Sequence, residues 1–122
     1  MGSLSQQWQR FCDRVVWSLD GWRNVWQTEP SLKQWIVANC ISTPLALYLP
    51  LSAAETAIII MGGIMVLAAE CMNTAIERVV DDIGMDRRDL AKQAKDAGSA
   101  AVAVTAISLG AAWATILCMN FL

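Results

Sequence analysis

The sequence predicts an all-α membrane protein: three membrane-crossing helices preceded by an N-terminal amphipathic helix lying on the membrane surface. Three observations carry this. Hydrophobic residues make up 56% of the 122 and charged residues only 16%, whereas soluble domains carry about 25% charged residues. Charge is absent from residues 56–69 and from residues 97–122. Upstream, apolar and charged residues alternate at helical spacing. The length suits one domain, residues 1–122.

The surface helix is expected over residues 5–28. Trp8, Phe11, Cys12, Val15, Trp22, Val25 and Trp26 recur with Arg10, Asp13, Arg14 and Arg23 between them, and tryptophan suits the headgroup zone. Gly21 is a candidate break. Glu29-Pro30 then marks a turn, because proline fits the first position of a helix. The first membrane helix is expected over residues 32–50, with Lys33 and Trp35 as interfacial anchors and Pro44 inside it. About 18 residues at ~1.5 Å each reach roughly 27 Å, close to the hydrocarbon thickness and marginal for an isolated span.

The second membrane helix is expected over residues 54–80, where Gly62-Gly63 would let a neighbouring backbone approach. A polar loop follows, carrying Asp81, Asp82, Gly84, Asp86, Arg87 and Arg88. Asp86 is the candidate cap of the next helix, with Asp89 at its third position. The third membrane helix, residues 87–121, is the clearest span. Its small residues repeat at four-residue spacing (Ala94/Gly98, Ser99/Ala103, Ala106/Gly110), as on a close-packed face.

All nine lysines and arginines lie before Gln34 or between Arg78 and Lys95. The positive-inside rule then puts both basic segments in the cytoplasm, with the N-terminus inside and the C-terminus outside. No cleavable signal peptide is expected, because no basic stretch precedes an apolar core at the N-terminus. A net charge of −2 argues against a nucleic-acid partner, which requires a basic patch. Four scattered cysteines and no histidine leave zinc and a disulfide framework without support.

The chain is organised around residues 70–77. Glu70, Asn73, Thr74 and Glu77 are spaced by three, four and seven residues, which puts them on one helix face at the end of an oily segment. Ionisable groups at such a depth mark function. Glu70, the deepest, suits a general base, since partial desolvation would bring its pKa towards the working range. Glu77, with Glu29 from the N-terminal turn, suits magnesium, a hard cation that combines carboxylates with substrate phosphates. Lys95 and Asp96 precede Gly98-Ser99 at the cytoplasmic entry of the third membrane helix. A lysine there offers a point charge to phosphate oxygens.

The familiar nucleotide-binding glycine motifs are absent. Residue chemistry alone therefore leaves three readings open. One is a phosphoryl-transfer enzyme. The second is a small helical membrane scaffold in which the same polar groups tie helices together. The third is an ion pore, and the oily stretches disfavour it.

Two blocks separate these readings. Glu70-x-x-Asn73-Thr74-Ala75-Ile76-Glu77-x-x-Val80-Asp81, followed by Lys95-Asp96-x-Gly98-Ser99-Ala100-Ala101-Val102, resembles the signature of the prokaryotic membrane diacylglycerol kinases. Arg10, Gly21, Arg23, Trp26 and Glu29 extend the resemblance more loosely. It implies three membrane helices and a surface helix per subunit, a homotrimeric bundle, and transfer of the γ-phosphate of MgATP to diacylglycerol to give phosphatidic acid. It further implies Glu70 as catalytic base and Glu29 and Glu77 as magnesium carboxylates. Arg10, Trp17, Glu29, Glu77, Lys95 and Asp96 would serve the nucleotide, and Arg10, Glu70, Asn73, Ser99 and Trp113 the lipid. The implied partners are ATP, diacylglycerol, membrane lipids and further copies of the chain, and the implied location is the bacterial inner membrane. Trp17, Trp35 and Arg87-Arg88 depart from the family's usual residues. Undecaprenol, which some members of the family phosphorylate, is the alternative acceptor.

Overall fold

Four α-helices form the structure in the order α1 (Leu4–Thr28), α2 (Pro30–Tyr48), α3 (Ala53–Ile83) and α4 (Asp89–Phe121). It is a computed structural model and describes residues 3–122.

Helix α1 opens on a capping box. The Ser3 hydroxyl accepts from the Gln6 amide at 3.4 Å, and the Gln6 side chain accepts from the Ser3 amide at 3.1 Å. The helix runs unbroken through Gly21, so the expected interruption is absent. An isolated glycine costs only about 1 kcal/mol within a helix, too little to divide one of 25 residues. Helix α2 begins at Pro30 in its first turn, as the sequence leads one to expect. It stops at Tyr48 rather than at residue 50. Leu49, which precedes Pro50, is extended (φ −69°, ψ 149°), the conformation that proline imposes on its predecessor.

A second capping box starts α3. The Ser52 hydroxyl accepts from the Glu55 amide at 3.3 Å, and Glu55 accepts from the Ser52 amide at 2.7 Å. This helix continues to Ile83, three residues past the expected end. The following turn is closed by Arg88, whose guanidinium donates to the carbonyls of Val80 (3.1 Å) and Gly84 (2.9 Å). The Val80 carbonyl also accepts from the Gly84 amide at 3.4 Å, so the guanidinium adds a second bond there and satisfies the Gly84 carbonyl beyond the helix end. Because residues 84–88 are spent on this turn, α4 begins only at Asp89. Its N-cap is Arg88, with no side-chain capping bond. The expected cap by Asp86 is therefore not formed. Asp89 is the first helical residue rather than the third, a position where its charge complements the helix dipole.

Helix α3 is the centre of the packing. It runs antiparallel to α4 in one continuous register: Asp81 pairs with Lys95, Gly98 packs on Asn73, Gly62 abuts Leu109, and Asn120 donates to Glu55 at 2.7 Å. On its other side lies α2, where the Asn39 amide donates to the Gly63 carbonyl at 3.2 Å. The three helices converge at one end around Ala46, Ile59 and Ile116. There the Trp113 indole donates to the Ser42 hydroxyl at 2.8 Å and closes the third side of the sheaf. Helix α1 docks at the opposite end and has a single buried residue, Val25.

Helices α3 and α4 are long and apolar enough to cross a membrane, and only 22% and 11% of their apolar stretches are buried within the protein. Oily side chains facing outward, such as Ile58, Met61, Ile64, Val104 and Ile107, suit lipid rather than a soluble core. Helix α2 is shorter and more polar. Lys33, Gln34 and Asn39 lie within its 19 residues, and it does not meet the same standard of length and hydropathy.

Candidate active site

The second half of α3 carries the site. Glu70 is 5% exposed and Thr74 4% exposed, the two buried polar residues of the chain's described part. Burying a carboxylate is costly unless it is paired. Even so, Glu70 makes no hydrogen bond or ion pair among the described residues. One turn on, Asn73 donates from Nδ2 to Glu77 Oε1 at 3.0 Å. Its Oδ1 is buried and accepts nothing. Buried polar atoms almost always find partners, so each exception calls for an explanation. Asn73 Oδ1 is the one such atom among the described residues, and it lies three residues from Glu70, whose carboxylate no other protein group engages.

The face is split rather than uniform. Asn73 turns towards α4, where a Cβ on Gly98 would come within 2.5 Å of Asn73 Oδ1. Glycine at 98 thus lets α4 close over the amide. Thr74 instead lines a groove of about 350 Å³ between α1 and α3, with Ser18, Gly21, Trp22, Val25 and Arg78.

Lys95 and Asp96 lie one turn further towards the α3–α4 loop. Together with Asp81, Asp86, Arg87, Arg88 and Lys92 they line an open cleft of about 360 Å³. Lys95 is paired with Asp81, and Asp96 with Lys92. The Lys95–Asp81 side chains are 38% and 41% exposed. An ion pair that open to solvent is worth ~1 kcal/mol or less, so an arriving phosphate can displace it.

Glu29 caps the end of α1 and begins α2. Its Oε1 lies 3.6 Å from the guanidinium of Arg78, the residue after Glu77. This brings the α1–α2 junction to the Glu77 level of α3. No group of three or more acidic, cysteine or histidine side chains gathers to enclose a metal among the described residues. The residues nonetheless fit a magnesium ion carried by a nucleotide. Glu29 and Glu77 each use one carboxylate oxygen within the protein, leaving a hard oxygen apiece. Magnesium commonly takes only one or two carboxylates and completes its shell with phosphates and water.

Other expected residues stand apart. Arg10 and Trp17 lie on exposed turns of α1. Arg10 precedes Glu29 by 19 residues, roughly 28 Å of helix. Ser99 is exposed on α4. Trp113 packs at the far end, bonded to Ser42, some 18 residues or roughly 27 Å along α4 from Lys95. Two residues not foreseen as part of the site are Asp81, which holds Lys95, and Arg78, which holds Glu29. The charge complementarity of Asp81 and Lys95 was present in the quoted blocks, whereas nothing local links Arg78 to Glu29.

Comparison with known proteins identifies the family. The profile of the family described as prokaryotic diacylglycerol kinase matches residues 16–117. A diacylglycerol kinase of Pseudomonas aeruginosa is 35% identical over 109 residues, covering 89% of each chain. One from Haemophilus influenzae is 35% identical over 83% of this chain and 86% of its own. One from Escherichia coli K12 is 34% identical over 99% of both chains. The matches span nearly the whole sequence and take in every helix that carries the site. The chain belongs to the prokaryotic diacylglycerol kinase family.

Proposed function

We propose that the protein transfers the γ-phosphate of MgATP to the hydroxyl of diacylglycerol, forming phosphatidic acid and ADP at the cytoplasmic face of the bacterial inner membrane. The observation that supports this most is Glu70, a residue only 5% exposed whose carboxylate no other protein group engages, three residues from the buried, unsatisfied Oδ1 of Asn73. A scaffold would pair such groups, whereas a catalyst keeps them for its substrates.

Glu70 takes the proton of the lipid hydroxyl as that oxygen attacks the γ-phosphorus. The bond to the β–γ bridging oxygen breaks and ADP leaves. Asn73, held by Glu77, keeps its Oδ1 as an acceptor for a donor of the bound substrates other than the hydroxyl proton that Glu70 takes. Glu29 and Glu77 would hold magnesium, which when bound neutralises charge across the phosphates. Lys95, released from Asp81, meets a phosphate oxygen as a point charge, and Asp96 stands beside it at the nucleotide. Positioning and charge neutralisation carry most of the rate in phosphoryl transfer. Arg10, Trp17, Ser99 and Trp113 would contribute to nucleotide or lipid contacts from outside this cluster.

In this reading α2 is the third span, the N-terminus is cytoplasmic and α1 lies on the membrane. The outward-facing small residues of α4 then pack against further copies in a homotrimer. The test is phosphate transfer by the purified protein in detergent, from ATP to diacylglycerol and, separately, to undecaprenol. Efficient transfer to diacylglycerol supports the proposal. Transfer to undecaprenol alone keeps the chemistry and replaces the acceptor, and transfer to neither overturns the enzyme reading.

A further inference from the structure

We propose that Arg78 is a positioning residue that fixes the α1–α2 junction against α3 and so sets Glu29 beside Glu77. The proposal rests on the reading of those two carboxylates as the ones that hold the nucleotide's cation. Three acceptors converge on this one guanidinium. Nη1 donates to Asn24 Oδ1 at 2.6 Å, Nη2 donates to Thr28 Oγ1 at 2.7 Å, and Glu29 Oε1 lies 3.6 Å from Nη2. Asn24 and Thr28 are four apart and share a face of α1, and Glu29 is the next residue in the chain. The Thr28 hydroxyl has one proton to give, to the Asn24 carbonyl (3.0 Å) or to Glu29 Oε1 (3.2 Å). Glu29 is thus gripped both directly and through its neighbour.

Stability does not account for such an arrangement. The Arg78 and Glu29 side chains are 46% and 27% exposed, and exposed ion pairs contribute little. Geometry does account for it. Apolar packing anchors the junction at Val25 and, in α2, at Leu32, but apolar contact is non-directional and does not aim the Glu29 carboxylate. Guanidinium is the side chain that can meet several acceptors in fixed directions. With one oxygen of Glu29 turned to Arg78, the other is left for a ligand.

The experiment compares Arg78→Ala, Arg78→Lys, Glu29→Gln and the Arg78→Ala/Glu29→Gln double variant of the full chain in detergent. Binding of Mn2+ with a non-hydrolysable ATP analogue is read by electron paramagnetic resonance. The magnesium dependence of transfer and the melting temperature are measured alongside. Misplacement of a site group by about 1 Å can cost up to about 100-fold. Arg78→Ala should accordingly weaken Mn2+–nucleotide binding roughly 10- to 100-fold, with little change in melting temperature. Arg78→Lys should recover little of the loss, because it keeps the charge but not the fork. The double variant should be no worse than Glu29→Gln alone, the mark of two residues acting through one.

Full recovery with lysine, additive losses, or unchanged binding in Arg78→Ala while Glu29→Gln is impaired would overturn the positioning role and leave the cation reading standing. Unchanged binding in Glu29→Gln would remove the cation reading itself, and the proposal with it.

Discussion

Replacing Gly98 with alanine tests the geometry of the site without touching a charged group. The added Cβ would lie 2.5 Å from Asn73 Oδ1 and 3.5 Å from both Asn73 Cγ and Ile76 Cδ1. The first distance is about 1 Å short of an ordinary contact, so either the amide rotates or α4 moves away from α3. Overpacking costs about 1–3 kcal/mol, and replacing a helical glycine returns up to ~1 kcal/mol. The net loss of stability should be about 1–2 kcal/mol. The effect on the site should be larger, because a displaced Asn73 loses its 3.0 Å bond to Glu77 and no longer presents Oδ1. Transfer from ATP to diacylglycerol per folded molecule should fall roughly 10- to 100-fold.

Gly63→Ala is the control. Its Cβ would come within 1.8 Å of Asn39 Oδ1, and Asn39 is held by bonds to the carbonyls of Trp35 (2.9 Å) and Gly63 (3.2 Å). That change should cost about 3 kcal/mol, near the top of the overpacking range. The molecules that remain folded should keep near-normal turnover. Both variants are compared by thermal melting and by turnover in detergent micelles. A Gly98→Ala protein with unaltered turnover would refute the placement of Asn73 against α4.

Two further outcomes are expected. Glu77→Gln keeps volume but removes the charge, so it should weaken Mn2+–nucleotide binding and raise the magnesium requirement while the protein still assembles; an unchanged magnesium profile would make Glu77 a structural residue. Single cysteines introduced at Asp86 and at Leu122 in a background lacking the native cysteines should be labelled from opposite sides of the membrane, with Asp86 reached only from the cytoplasm; labelling of both from one side would sink the arrangement in which α2, α3 and α4 all cross.

The polar face of α3 was legible in the sequence because helical spacing is local. Residues three, four and seven apart must share a side, so Glu70, Asn73 and Glu77 could be grouped before any fold was known. The existence of four helices was legible for a similar reason, from amphipathic spacing in α1 and runs of apolar residues after it. The Ser52-x-x-Glu55 capping box was also readable, being a local pattern, although the expected start of α3 did not use it. The turn before α4 was not readable. Asp86 is a good cap by residue type, but Arg88 folds its side chain back onto Val80 and Gly84, and that depends on where α3 ends. Nor was the division of the polar face, with Thr74 under α1 and Asn73 under Gly98. It follows from which helix lies on which side of α3. Arg78 is the extreme case: its partners lie 50 and 54 residues away, and its own neighbourhood in the sequence gives no hint of them.

If Glu70 is kept without a protein partner because it serves as the base, its replacement should stop the chemistry and spare the fold. Glu70→Gln preserves the shape of the side chain and much of its packing while removing the proton acceptor. Loss of a general base typically costs 10²- to 10⁴-fold in rate. Glu70→Gln should therefore give a protein of near-normal melting temperature and assembly that still binds MgATP, with transfer to diacylglycerol down at least ~100-fold. A variant that assembles poorly yet turns over normally per folded molecule would contradict it, and would make Glu70 a residue of the scaffold.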